Sequence, residues 1–213
     1  MLTVIVDYDS GNLHSAQKAF ERMANEANAG DVIVTSDPAQ VLKADRVVLP
    51  GDGAYPACHA ALFDHKGIFE AIEEVVINKA RPFMGICIGM QMLATRGLEY
   101  TETKGFDWIA GTVDKIRPTD STLKVPHMGW NQVKQTIAHP LWANIADDSR
   151  FYFVHSYYVE AGEAEQVAAT CDYSRRFAVA LAQDNLFAVQ FHPEKSHSAG
   201  LQLLKNFVHW DGR

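Results

Sequence analysis

The sequence predicts a doubly wound α/β fold, with a mostly parallel central sheet, helices on both faces and antiparallel strands in the C-terminal half. Three observations lead there. Short apolar runs such as Leu2–Val6 lack polar alternation, which suits strands buried on both faces as in a parallel sheet. The early runs alternate with residues at helical spacing. Beyond Gly97 the grammar changes to several longer strand-like segments, the last two joined by a two-residue loop, Asp184-Asn185, of hairpin type.

The elements follow in order. Leu2-Thr3-Val4-Ile5-Val6 is broken by turn residues from Asp7 to Asn12, and the apolar positions Leu13, Ala16, Ala19, Phe20 and Met23 predict a helix over 13–27. Two short strands follow, Val32–Val34 and Arg46–Leu49, separated by Asp37-Pro38 and a weak helix. Residues 57–79 read as a helical region broken near Gly67, Pro82 to Cys87 as a buried strand and Ile88 to Thr95 as a helix. In the second half, strands are expected at 108–116, 125–133, 150–158, 166–172, 178–183 and 186–191, in a mixed sheet that continues one domain, 1–213. A final helix runs through Leu201, Leu204 and Phe207.

The whole-chain balance narrows the function classes. With 19 basic and 26 acidic residues, a net charge of −7 offers no general attraction to nucleic acid or an anionic membrane. Cys58, Cys87 and Cys171 are odd in number and widely spaced, so neither a disulfide framework nor a zinc site is expected, and a reducing cytoplasm fits. The N-terminal apolar run is cut off by Asp7 without a basic lead, and no run reaches membrane-span length, so no targeting or anchoring is expected.

Three stretches carry chemistry. Gly85-Ile86-Cys87-Ile88-Gly89 has the spacing of a nucleophile elbow with cysteine in place of serine. At a helix N-terminus the free N–H groups would favour the thiolate. The pentapeptide alone leaves a small buried thiol as the other reading, and a base elsewhere decides. His192 leaves a strand end in Phe191-His192-Pro193-Glu194, where His192 and Glu194 can project to one side as base and orienter. Pro50-Gly51-Asp52-Gly53 follows another strand end, and its glycines permit a loop that presents main-chain N–H groups to an anion.

Together with Gln190-Phe191-His192-Pro193-Glu194-Lys195-Ser196, these stretches resemble the class I, triad-type glutamine amidotransferases of flavodoxin-like fold. Asp7-Tyr8, Gly11-Asn12-Leu13, Val125-Pro126-His127-Met128-Gly129-Trp130-Asn131 and Tyr152-Phe153-Val154-His155-Ser156-Tyr157 narrow the likeness to the glutaminase subunits of imidazole glycerol phosphate synthases. The resemblance covers essentially the whole chain. It implies that Cys87 attacks the glutamine amide, with His192 as acid and base and Glu194 supporting it. It implies an oxyanion hole from Ile88 and the Gly51-Asp52-Gly53 loop, and glutamine contacts from Gln91, Glu99 and the backbone at Ser156 and Tyr157. No metal or cofactor is implied. The implied partner is a cyclase subunit of TIM-barrel fold, in a heterodimer, faced by Asn12, His127, Met128, Trp130, Tyr152 and Lys195 at the interface or ammonia passage. Asp52 departs from the family, in which this position is usually apolar; its side chain is expected to face solvent or cap the following helix. A glutaminase of another synthase, such as that of pyridoxal phosphate, and a noncatalytic module on the same fold remain the alternatives.

Overall fold

The computed structural model describes all 213 residues. Its first half runs β1 (Leu2–Val6), α1 (Leu13–Ala27), β2 (Asp31–Thr35), α2 (Pro38–Val41), β3 (Arg46–Gly51), α3 (Tyr55–Asp64), α4 (Ile68–Glu73), β4 (Phe83–Cys87) and α5 (Ile88–Gln91). The second half runs β5 (Arg96–Gly97), β6 (Thr103–Lys104), β7 (Gly111–Lys115), β8 (His127–Gln135), β9 (Ser149–His155), β10 (Tyr157–Ala161), β11 (Val167–Tyr173), β12 (Arg175–Gln183), β13 (Leu186–Val189) and α6 (His197–His209).

Nine strands form one sheet in the order β2-β1-β3-β4-β13-β12-β11-β8-β9. The first five are mutually parallel, and the remaining pairings are antiparallel. The parallel strands β3 and β4 are buried along their whole length, as their unbroken apolar runs require. Helix α1 keeps Ala16, Ala19, Phe20, Met23 and Ala24 inward, and Asn12 caps it by accepting from the Ser15 N–H at 3.3 Å. The expected break near Gly67 is present between α3 and α4, which continues as a π-helical turn, Glu74–Asn78. The two-residue hairpin is present too: Gln183 pairs with Leu186 across Asp184-Asn185.

Four expectations need correction. The C-terminal half does not simply extend one sheet, because β10, β7, β5 and β6 form a separate four-stranded sheet. The expected strand at 150–158 is therefore two strands: at Ser156 the chain leaves β9 in the large sheet and enters β10 in the small one. The expected strand at 108–116 begins only at Gly111, since Trp108 is taken up by an aromatic cluster with Phe69, Phe83 and Phe106. Finally, the helix expected over 88–95 is a single turn, Ile88–Gln91, after which the chain turns and Gly105, Phe106, Asp107, Trp108 and Ile109 dock their N–H groups on its carbonyls from Met92 to Thr95.

The turn from β4 into α5 depends on close backbone approach. A Cβ on Gly89 would lie 1.8 Å from the Leu49 carbonyl oxygen of β3, so only glycine lets α5 sit on the sheet there. By contrast a Cβ on Gly53 would meet nothing within 4 Å, and its restriction is its φ of +109° alone. Gly89→Ala is accordingly expected to lose ~3 kcal/mol of unfolding free energy through overpacking, and Gly53→Ala only ~1–2 kcal/mol through backbone strain. Urea unfolding of both variants checks this, and equal losses would show that the Leu49 contact does not constrain the turn.

Candidate active site

Three neighbouring strands deliver the candidate residues to one edge. Strands β3, β4 and β13 are adjacent and parallel, with Gly51 paired to Cys87 and Ile86 to Val189. Their C-terminal ends release the Gly51-Asp52-Gly53 loop, Cys87 and the segment 190–194 side by side, the usual location of sites in open parallel sheets. A cavity of about 220 Å³ opens there, lined among others by Asp52, Gly53, Cys87, Gln91, Glu99 and Tyr157. Ile88 and Ser156 line it as well.

Cys87 sits at φ 57°, ψ −111°, a positive φ that side chains rarely adopt, and is 4% exposed. This is the strained turn expected of an elbow. Because α5 is one turn long, it carries little macrodipole, and charge support for the sulfur falls to neighbouring side chains. One is His192, whose Nδ1 lies 2.8 Å from Glu194 Oε1. A carboxylate accepts from Nδ1–H, so Nε2 is the free nitrogen; it is buried and makes no hydrogen bond of its own. Burial works against the imidazolium, but the Cys87 sulfur nearby and the Glu194 carboxylate bonded to Nδ1 outweigh it and push His192 up to about 10. Ser196 anchors the backbone here: its hydroxyl donates to the His192 carbonyl at 2.6 Å and accepts from the Tyr152 N–H at 2.9 Å. The sequence offered no signal for that role.

The expected glutamine contacts are brought together. Gln91 is 1% exposed, and its Nε2 donates to the Tyr157 carbonyl at 3.2 Å and to Gln190 Oε1 at 2.9 Å, while its own Oε1 has no partner. Glu99 is buried, not a solvated surface carboxylate, and accepts from the Tyr55 N–H at 2.7 Å at the start of α3. It thereby takes the capping role considered for Asp52, which is exposed and caps nothing. Gln190, fully buried, donates to Cys87 Sγ at 3.6 Å; it stood inside the quoted motif without a role.

The loop is held by the first half of the chain. The Asp52 N–H donates to Ser10 Oγ at 3.3 Å, and the Asp52 carbonyl accepts from Ser10 Oγ at 2.9 Å and Cys58 Sγ at 3.2 Å. Burial raises the Cys58 thiol.

Of the residues expected to face a partner, Met128 and Trp130 are 62% and 38% exposed. Tyr152 packs edge-on to Trp130, and His197 stacks on it at 4.8 Å. Lys195 is half-buried and lines a surface pocket with His197, and Asn12 lines a small cavity shared with Gly51, His192 and Glu194. His127 is a correction: it is 3% exposed, because strand alternation along β8 turns it inward where Met128 and Trp130 turn out. Its Nδ1 lies 2.9 Å from His155 Nε2, and His155 Nδ1 lies 2.8 Å from the Tyr157 carbonyl. Burial draws His127 down to about 4 and His155 to about 3, so both are neutral donors and acceptors in this chain.

Known proteins are similar to this chain in sequence and in fold. The family described as Glutamine amidotransferase class-I matches residues 4–210. Proteins named imidazole glycerol phosphate synthase subunit HisH, from Cereibacter sphaeroides and Ruegeria pomeroyi, are 55% and 52% identical over 210 residues, which is 99% of this chain and of each relative. Among solved structures, one titled "Crystal structure of glutamine amidotransferase" superposes with a TM-score of 0.71 at 15% identity and covers 97% of both chains. A putative GMP synthase protein from Thermoplasma acidophilum gives 0.68 at 18% identity, covering 98% of this chain and 92% of its own. At those identities the structural likeness speaks to the fold. With a family match from residue 4 to residue 210 and relatives more than half identical over nearly the whole length, this chain belongs to the class-I glutamine amidotransferases.

Proposed function

We propose that the chain is the glutaminase subunit of an imidazole glycerol phosphate synthase, hydrolysing glutamine to glutamate and ammonia through Cys87, His192 and Glu194. The observation that carries the chemistry is His192, held on Nδ1 by Glu194 with a buried, free Nε2 beside the strained Cys87. The names of the full-length relatives supply the pathway.

In this reading Cys87 Sγ attacks the carboxamide carbon of glutamine, and the C=O electrons move to oxygen. Collapse of the tetrahedral adduct breaks the C–N bond as His192 Nε2–H protonates the departing nitrogen, leaving a γ-glutamyl thioester and ammonia. Water then adds to the thioester, giving its proton to His192, and the sulfur leaves as thiolate. The α-ammonium of glutamine docks on the unpartnered Gln91 Oε1 and the Glu99 carboxylate, with main chain at Ser156 and Tyr157 framing the pocket. Residues 1–213 act as one domain, supported by a single cluster of 61 buried core residues that draws on both sheets.

The oxyanion is held by the Ile88 N–H, which stands in the first turn of α5, and by the Asp52 N–H. The latter is occupied by Ser10 in this structure. A rotation of the loop, available at Gly53 with its φ of +109°, has to release it. The lone chain is therefore a resting form, completed when partner and substrate are present. That partner is the TIM-barrel cyclase, in a heterodimer, seated on the exposed Met128 and Trp130 beside Tyr152 and Lys195, with Asn12 on the ammonia route. No helix is long and apolar enough to cross a membrane, and three free cysteines suit a cytoplasmic enzyme.

Cys87→Ala is expected to abolish glutamine-dependent synthesis by the complex while ammonia-driven synthesis continues; retained glutaminase activity would remove Cys87 from the mechanism. Ser10→Ala should raise the glutaminase kcat of the lone chain, recovering part of the ~10²–10³ that a missing oxyanion donor costs. Unchanged lone-chain turnover would mean that Ser10 does not restrain the loop. In the complex, kcat should fall as pH rises through about 10, where His192 loses the proton it must donate. Glu194→Gln should bring that alkaline limb to lower pH, because the carboxylate is one of the groups that raise His192; an unmoved limb would assign it to another group.

A further inference from the structure

We propose that Gln190 is a positioning residue that ties the glutamine-binding amide of Gln91 to the nucleophilic sulfur, an inference that rests on the glutaminase reading above. The residue directly follows β13 and is fully buried, and its own N–H is fixed to the Val179 carbonyl at 2.9 Å, so its side chain extends from a rigid edge of the sheet. A buried amide is costly unless its atoms are bonded. Both ends of Gln190 are bonded, one to a binding residue and one to the nucleophile.

The direction of these bonds follows from chemistry. The Tyr157 carbonyl can only accept, so the atom of Gln91 that lies 3.2 Å from it is its NH2 group. The second hydrogen of that group meets Gln190 at 2.9 Å, which must present Oε1 and therefore turns Nε2 to Cys87 Sγ at 3.6 Å. With both hydrogens spent, Gln91 keeps a buried, unpartnered Oε1 at the cavity wall, the acceptor left for an ammonium group. Without Gln190 only the longer bond to the Tyr157 carbonyl holds that orientation. A cation on Gln91 Oε1 polarises its N–H groups, which strengthens the bond to Gln190 Oε1 and in turn the donation from Gln190 Nε2 to sulfur, the cooperative behaviour of hydrogen-bond chains at low dielectric. The bond to sulfur gains further when the sulfur is anionic. Gln190 thus sets the glutamine contact and supports the thiolate through one amide.

Two variants separate the two roles. Gln190→Met keeps the shape and removes both bonds, whereas Gln190→Glu keeps an acceptor for Gln91 and replaces the donor to sulfur by a carboxylate. Each is assayed as the complex with its cyclase for kcat and KM toward glutamine, and as the chain for the pH profile of iodoacetamide alkylation at Cys87, with Cys87→Ala as the blank. His192, Tyr8 and Cys58, the titratable groups that interact with Cys87, are unchanged in both. The expected result for Gln190→Met is an alkylation midpoint about one pH unit higher, a fall in kcat and a rise in KM, each ~10-fold. For Gln190→Glu the midpoint rises and kcat falls while KM stays within about twofold of wild type. An unmoved midpoint in Gln190→Glu overturns the proposal, as does a KM that rises equally in both variants; since Gln190→Glu decides alone, a Gln190→Met chain that fails to bind the cyclase does not rescue it. Wild-type complex without glutaminase activity would instead refute the proposed function, and the alkylation profiles would still report on the contact between Gln190 and sulfur.

Discussion

The active edge depends on one close contact, that of α5 with the backbone of β3. Gly89 lies so near the Leu49 carbonyl that no side chain fits, and this brings the first turn of α5 down onto the sheet immediately after Cys87. The chain must reverse within one residue, so Cys87 carries the positive φ itself and its sulfur is thrust out at the strand end. Around that point the parallel register of β3, β4 and β13 does the rest, since it fixes which loop and which histidine lie beside the sulfur.

Much of this was legible in the sequence for identifiable reasons. The elbow, the His192 segment and the loop at Gly51 are local signals at strand ends, and parallel strands reveal themselves as unbroken apolar runs. Helix α1 was readable because its apolar stripe and Asn12 cap agree. The second sheet was not readable, because the run from Arg150 to Tyr158 is as strand-like at Ser156 as on either side, and only tertiary pairing with β7 decides that the chain changes sheets there. The short α5 was missed for a similar reason: Met92 to Thr95 keep helical composition, but their carbonyls are claimed by the segment at Gly105 to Ile109.

Side-chain roles divided along the same line. Cys87, His192 and Glu194 are recognisable by residue type and spacing, whereas Ser196, Gln190 and Ser10 act through partners 44, 103 and 42 residues away in the chain. His127 shows how composition misleads: a histidine beside exposed Met128 and Trp130 suggests a surface, yet the pleat of β8 puts it among Phe153, His155 and Tyr173.

The division into two sheets has a further consequence. Cys87 ends β4 and His192 follows β13 of the nine-stranded sheet, whereas Tyr157 opens β10 and Glu99 follows β5 of the four-stranded one, and the cavity lies between them. A substitution that tilts or shifts the small sheet widens or narrows the mouth around the amino-acid head of the ligand while leaving the distance between sulfur and imidazole untouched. In the proposed reading, variation in β5, β7 and β10 therefore acts on how readily the site fills, and it reaches the sulfur only through the bond of Gln91 to the Tyr157 carbonyl and the link that Gln190 makes from Gln91 to Cys87.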